Sequence, residues 1–328
     1  MMVLAASALA GAGCDKGASK GGGGGGNGMA GASAVAPKGG LTRALSMMPA
    51  NSEMVMALDF AKLRSSAIWK TYEPKLLAQM GKNLEEFKTI CGWDPMAKAT
   101  GLLAGGRGKE MEELTVFVRG FDKTSVVDCI NKAVAKAKSE GKNRTAIIDG
   151  DYIELQKEDP TDDAVRFAFV DDQTIIFKRA GADAMAGKDV LMAAMAAKDK
   201  DGLMSSEMFS SLVNATDTSA TAWFVVNGNA SFIPPGLPDK PKAIFGWVNV
   251  ASGADGTMKL RMETDSSASG LASMFRMLMG QVKDTPYAEY AKSVTIDSKG
   301  KDVQLAFKLD QKQIESLAGM AESMGGGF

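Results

Sequence analysis

The chain has 328 residues, a hydrophobic fraction of 45% and no histidine. A chain without histidine has no Ser-His-Asp or Cys-His catalysis and no His-ligated zinc. The formal net charge is −1, from 38 basic and 39 acidic residues, so no overall field attracts nucleic acid or anionic lipid. The composition therefore predicts no nucleic-acid partner, and no motif in it calls for a metal or a cofactor.

The first 13 residues are apolar or small and uncharged, and Cys14 follows them directly. Residues Gly11 to Cys14 resemble the lipobox of a bacterial lipoprotein signal, with glycine in place of the usual aliphatic residue three positions before the cysteine. The basic segment that opens such signals is missing, and a translation start upstream of Met1 would supply it. The resemblance implies a signal peptide over residues 1–13 and acylation, including palmitate, at Cys14. The alternative is an Ala/Gly-rich tail on a cytosolic protein.

A glycine-rich segment comes next. Residues 15–40 hold 11 glycines in 26 positions and no aromatic residue. Such a composition buries too little apolar surface to become ordered, so it predicts a flexible tether over residues 14–41. A lipidated cysteine, a tether and a folded body together predict a protein anchored to an inner or outer membrane of the cell envelope. Its body would lie in the periplasm or at the cell surface.

From about Thr42 the pattern becomes globular. The first half predicts a strand at 53–59, a helical stretch at 61–90 interrupted by Pro74, and a helix from the Asp122 cap to about Ser139. Two strands precede this last helix, at 99–104 and 114–119, with a glycine loop at 105–108 between them. Four more follow it, at 145–148, 152–156, 165–170 and 174–178.

The second half repeats this order. A helical stretch at 182–197 leads to this half, which predicts helices at 206–214 and 267–282, and a last helix that begins with a capping box between Asp310 and Gln313. Its strands are predicted at 220–227, 243–250, 258–264, 294–296 and 303–309. Tight turns between strands favour antiparallel pairing. We therefore predict an α+β fold of two similar sheet-plus-helix units, 42–198 and 199–328, with 114–156 and 257–309 as the clearest counterparts. The order resembles a class of bacterial lipoproteins built from two α+β repeats.

Cys91 and Cys129 are the cysteines of the folded part. In an exported protein they can form a disulfide, and closing the loop between them would contribute about 4 kcal/mol in the chain-entropy model. The alternative is two buried thiols that act as small apolar side chains. A catalytic or metal-binding role is disfavoured, because neither lies in a CxxC motif and histidine partners are absent.

The segment Ile233–Pro241 contains four of the ten prolines. Prolines lower the ordering cost of an exposed loop, so this segment is the first choice for a partner contact, through Phe232, Ile233 and Leu237. The alternative is a rigid connection between strands.

Candidate catalytic motifs fail on inspection. The segment Gly101–Lys109 departs from the phosphate-loop spacing, and Ser139–Lys142 has SxxK spacing at a helix end, without the companion motifs of penicillin-recognising enzymes. We predict no catalytic residue and a non-enzymatic binding or structural role in the envelope, with an envelope protein or polymer as partner. The alternative is an envelope hydrolase that uses a carboxylate pair or Ser-Lys chemistry.

Overall fold

The computed structural model describes residues 38–109, 111–156, 164–181, 185–197, 202–233, 240–282, 285 and 288–323. Its strands are β1 Met54–Asp59, β2 Gly101–Arg107, β3 Glu113–Arg119, β4 Thr145–Asp149, β5 Tyr152–Gln156, β6 Val165–Asp171, β7 Thr174–Ala180, β8 Ala222–Asn227, β9 Ala243–Val250, β10 Gly253–Arg261, β11 Val294–Lys299 and β12 Asp302–Asp310. Its α-helices are α1 Lys38–Met47, α2 Phe60–Ser65, α3 Ala67–Cys91, α4 Pro95–Lys98, α5 Lys123–Ser139, α6 Lys188–Ala196, α7 Glu207–Asn214, α8 Asp265–Gln281, α9 Ala288–Ala291 and α10 Gln311–Ser323.

All twelve strands belong to one antiparallel sheet, which confirms the predicted α+β class. The strand order is β11-β12-β10-β9-β8-β1-β2-β3-β7-β6-β5-β4. The two halves meet at the centre of the sheet, where β1 pairs with β8 and Met54 lies opposite Val226. One sheet and one central core cluster thus contain residues of both predicted units.

The halves follow the same route from this centre. In each, three strands run outward, a helix crosses to the edge, and the next strands return inward, so that β7 lies against β3 and β12 against β10. The first half has one hairpin more, β4–β5, at the far edge. By position in the sheet, β6–β7 rather than β4–β5 corresponds to β11–β12, which corrects the predicted match of 114–156 with 257–309.

Helices cover both faces of the sheet. On the front face, α1, α6 and α7 pack over a cluster that includes Phe117, Phe209 and Phe245. On the back face, α5 places Val126 and Ile130 against Phe167 and Phe169. In the second half, α8 places Ala268 and Ala272 against Leu260 and Val303. None of the described helices combines the length and the apolar character needed to span a bilayer.

Side-chain caps fix the helix starts. Asp122 accepts a hydrogen bond from the Ser125 amide at 2.7 Å, as the sequence predicts for α5. Asp310 and Gln313 exchange bonds of 2.8 and 3.0 Å between side chain and backbone, and so form the predicted capping box of α10.

Three local predictions need correction. Pro74 lies inside α3; the helical stretch instead breaks at Ser66, which caps α3, and is kinked at Gly81. Strand β2 extends through Gly105 and Gly106 to Arg107, because the missing side chains leave room for Met48 beside Gly105 and for the β3 backbone beside Gly106. Helix α1 begins at Lys38, four residues before the predicted start of the body.

Candidate functional site

The two cysteines of the folded part lie together. Cys91 is the last residue of α3 and Cys129 lies in α5; their Cα atoms are 4.5 Å apart and their Sγ atoms are at disulfide-bonding distance. Both side chains are buried, and Phe87 and Trp93 pack around them with ring centroids 4.8 Å apart. This geometry agrees with the disulfide alternative. The bond ties the outer helix α3 to α5, which itself packs on the sheet.

Glu53 links the two halves at one end of the central strand pair. Its carboxylate accepts hydrogen bonds from the Ser231 amide at 2.9 Å, the Ser231 hydroxyl at 2.8 Å and the Gly108 amide at 3.3 Å. Its backbone pairs with Gly106 and Asn227. Burial by itself raises the pKa of Glu53, but the donors of Ser231 and Gly108 and the charge of Arg107 outweigh it, so the pKa is lowered. A single carboxylate therefore holds the β2–β3 turn and the segment after β8 in place.

We expect Glu53→Gln to lower the free energy of unfolding at pH 7 by about 1 kcal/mol, since hydrogen bonds to a charged acceptor are lost. Because the folded-state pKa is lowered, this stabilisation is fully present above the ordinary carboxyl value of 4.5 and is lost as the pH falls through the folded value. Urea unfolding at several pH values measures the effect. The difference between the two proteins should shrink under acid, and Glu289→Gln, on an exposed residue, should change little. A constant difference at all pH values would contradict the assignment.

The predicted contact loop begins directly after Ser231. Phe232 and Ile233 are half-buried, and the Ile233 amide donates to Ala230 at 3.1 Å. Leu237 lies outside the described residues. The start of the loop is thus fixed through Glu53 at the end of β8, while the contact role of these residues stays a prediction.

A second polar group lies on the front face beside α6. The Tyr152 hydroxyl donates to Glu154 at 2.6 Å, and Arg166 Nε donates to the same carboxylate at 3.2 Å. Burial, followed by the bond to Glu154, raises the pKa of Tyr152 to about 12. Tyr152 therefore stays protonated at neutral pH and acts as a hydrogen-bond donor within the core.

On the front face of β10, β12 and β11, every side chain is exposed or half-buried. Arg261 binds Asp302 through two hydrogen bonds of 2.8 and 2.9 Å. The charges of Arg261 and Lys259 lie 5.1 and 5.8 Å from the ring centroid of Phe245. We call this the open sheet face; it is a mainly polar surface with charges of both signs.

A shallow depression lies along the first turns of α5. Its volume is about 350 Å³, and its lining residues are Lys123, Thr124, Val127, Asp128 and Asn131. Lys123 is bound to Asp151 at 2.6 Å. The depression is open to solvent and holds no group of buried, convergent polar atoms, so it has no catalytic geometry.

The hydrolase alternative needs either a buried carboxylate pair or a Ser-Lys pair. The buried polar side chains of the described residues are hydroxyls: Ser46, Ser52, Ser66, Thr115, Thr174, Thr216 and Thr221. Ser139 is exposed and donates to the Lys136 carbonyl, while Lys142 binds Glu140 at 2.8 Å. Among the residues that the structure describes, no group of three or more acidic or cysteine side chains could hold a metal ion.

Sequence reasoning missed Glu53 and the open sheet face. Glu53 meets Ser231 across 178 positions of the chain, and no local pattern signals such a pair. The polar alternation of β10 and β12 was visible, but only the sheet order places their polar sides on one surface. Comparisons with protein-family models, with curated proteins and with solved structures found no match.

Proposed function

We propose that this chain is a lipid-anchored protein of the bacterial cell envelope whose body has a binding or structural role and no catalytic one. The observation that carries the proposal is the buried Cys91–Cys129 pair in a chain that also contains a lipobox-like segment ending at Cys14.

The disulfide supports an exported location. Structural disulfides form and persist in oxidising compartments such as the periplasm and are rare in the cytosol. Cys91 and Cys129 are 6% and 2% exposed, which is typical of a structural bond rather than a catalytic one. Together with the small residues before Cys14, this favours export over an Ala/Gly-rich cytosolic tail.

The surfaces of the body support a binding or structural role. The side chains of the open sheet face are exposed or half-buried and mainly polar, whereas a catalytic site needs a concave pocket with perturbed groups. Most of the clearly shifted pKa values belong to ion pairs and hydrogen bonds that join structural elements, such as those of Glu53 and Glu154, whereas burial lowers the pKa of Lys178. We propose the open sheet face as the place where an envelope protein or polymer binds.

The anchoring is tested by Cys14→Ala in the full chain, expressed in a bacterium that processes lipoproteins. We expect the unchanged protein in the membrane fraction, labelled by palmitate, and the variant unlabelled in the soluble fraction, because acylation supplies the membrane affinity. Gly13→Ala is the matched control: it keeps a small residue before the cysteine and should leave both properties intact. Membrane partition that is the same with and without Cys14 would refute the anchor.

The binding role is tested separately, by capture from envelope extracts with the full chain. Charge reversal on the open sheet face, Lys259→Glu, should reduce capture of an envelope component. Lys312→Glu, at an exposed position in α10, should not. Equal capture by both variants would exclude the open sheet face as the binding surface and leave the anchor unaffected.

A further inference from the structure

Strand β4 is one of the two edges of the sheet, and it is less protected than the other. Ile147 and Ile148 are 46% and 40% exposed, on opposite faces of the strand. Natural edge strands usually carry inward charges, lysine, proline or a bulge that prevents pairing with another chain. At the opposite edge, β11 carries Asp297 and Lys299, and its Ile296 is half-buried.

The hairpin to β5 fixes which backbone groups of β4 face outward. Asp149 and Tyr152 are partners across the two-residue turn Gly150–Asp151, in which Gly150 has φ +62°. The closing pair of such a hairpin is hydrogen-bonded, and hydrogen-bonded pairs alternate along the strands. The amide and carbonyl groups of Ala146 and Ile148 therefore point away from β5. Among the described residues, no strand pairs with β4 on that side.

We propose that β4 pairs antiparallel with β4 of a second copy of this chain, centred on Ile147, so that two twelve-stranded sheets join into one. This inference goes beyond the proposed function and does not depend on the lipid anchor.

The centred register gives the outward backbone groups hydrogen-bond partners and brings apolar side chains into contact. It places Ala146 opposite Ile148 of the second copy, so that the outward amide and carbonyl groups of these two residues form hydrogen bonds with each other. The two-fold axis repeats the same pair of hydrogen bonds on its other side. Ile147 then faces its own copy in a non-hydrogen-bonded pair, where side chains are closest. A two-fold axis perpendicular to the sheet keeps each face of β4 on the same side of the joined sheet.

Charge also favours antiparallel self-pairing. The residues before β4 include Lys142 and Arg144, and those at its end include Asp149 and Asp151. The centred register brings the basic end of one strand beside the acidic end of the other, at both ends of the interface. Asp149 and Asp151 already bind Lys188 and Lys123, and Lys142 binds Glu140, but these pairs are partly exposed to solvent and are therefore weak. A parallel pairing would instead place like charges side by side.

A five-residue strand buries less area than a stable obligate dimer, so we expect a concentration-dependent association. The first experiment is sedimentation equilibrium on the full chain carrying Cys14→Ala, which excludes association through acyl chains. We expect a monomer–dimer equilibrium. A protein that stays monomeric up to about 0.3 mM, a concentration at which weak complexes form, would overturn the proposal. That result would hold even if a different partner bound the strand.

The second experiment compares two variants, each with one added charge at a different edge of the sheet. In the same Cys14→Ala background, Ile147→Lys would place two lysines opposite each other and should weaken the dimer at least about tenfold. Thr295→Lys adds the same charge at an exposed position of β11 and should leave association unchanged. Equal effects of the two substitutions, or none from Ile147→Lys, would overturn the proposal.

The third experiment tests the register and does not depend on the stability of a charged variant. Ile147→Cys places two thiols across the two-fold axis at the closest pair position, so mild oxidation should give a covalent dimer. Thr295→Cys is the matched control and should stay monomeric on a non-reducing gel. A covalent dimer from Thr295→Cys but not from Ile147→Cys would contradict the assigned edge.

Discussion

Replacement of both Cys91 and Cys129 by alanine is expected to lower the free energy of unfolding by about 4 kcal/mol. The two residues are 38 positions apart, and a bond between them restricts the unfolded chain over that whole loop. The folded state also loses the tie between α3 and α5 beside Phe87 and Trp93. Urea unfolding of the double variant measures the loss.

Cys14→Ala is the control, since it removes the one remaining cysteine of the chain, which lies outside the described residues. It should leave the unfolding midpoint unchanged. Thiol titration of the denatured Cys14→Ala protein, taken directly from cells, should find no free thiol. Two reactive thiols, or a double variant as stable as the unchanged protein, would mean that the pair is not bonded in the cell.

Gly120→Ala is expected to cost about 3 kcal/mol or more, because two effects add at this position. Gly120 has φ +108°, which L side chains rarely adopt, and a Cβ atom there would lie 2.1 Å from the Lys98 carbonyl oxygen. The backbone has little freedom to shift, because the Gly120 amide donates to Gln173 at 2.9 Å and the neighbouring Arg119 carbonyl accepts from Thr100 at 2.7 Å. Thermal or urea unfolding of the purified variant measures the cost.

Gly141→Ala separates the two effects. Gly141 also has a positive φ, +75°, but a Cβ atom there would meet no atom within 4 Å. The backbone strain alone should cost about 1 kcal/mol. If both variants lost the same stability, the close contact with Lys98 would have no role, and the packing of β3 against the end of α4 would be looser than described.

Local patterns predicted the elements well. Eleven of the twelve strands were predicted to within three residues at either end, because alternating apolar side chains and short turns such as Asp149–Tyr152 specify a strand and its end locally. Strand β10 was predicted at 258–264 but begins five residues earlier, at Gly253. The Asp122 cap and the Asp310–Gln313 capping box were also correct, since each depends on residues three positions apart.

The order of the strands could not be predicted in this way. The alternation of β3 is satisfied by any antiparallel neighbour, so it does not distinguish β7 from β5 as its partner. The pairing of β1 with β8 joins residues about 170 positions apart and is decided by the shared core around Val55, Trp223 and Val225. The surfaces proposed for binding and for self-pairing both follow from this order, so only the structure could indicate them.

Pro74 shows the limit of a local rule. Proline removes one hydrogen bond of a helix interior, yet α3 continues past it. The buried residues Leu84, Phe87 and Cys91, which face α5, lie beyond the kink at Gly81. The cost of about 3 kcal/mol that proline imposes on a helix interior is therefore not enough to end the helix at this position.

The central pairing of β1 with β8 means that the middle of the sheet stays unfinished until the second half of the chain is present. When residues 54–180 have formed their seven strands, β1 has a partner only on the β2 side. Its other side remains a bare strand, with the core residues Val55 and Ala57 on its front face, until residues 222–227 arrive. A chain that stops before β8, by truncation or proteolysis, would therefore end with two reactive edges instead of one and be prone to aggregate. Once residues 222–227 pair with β1, the strands of the second half can extend the same sheet outward from β8.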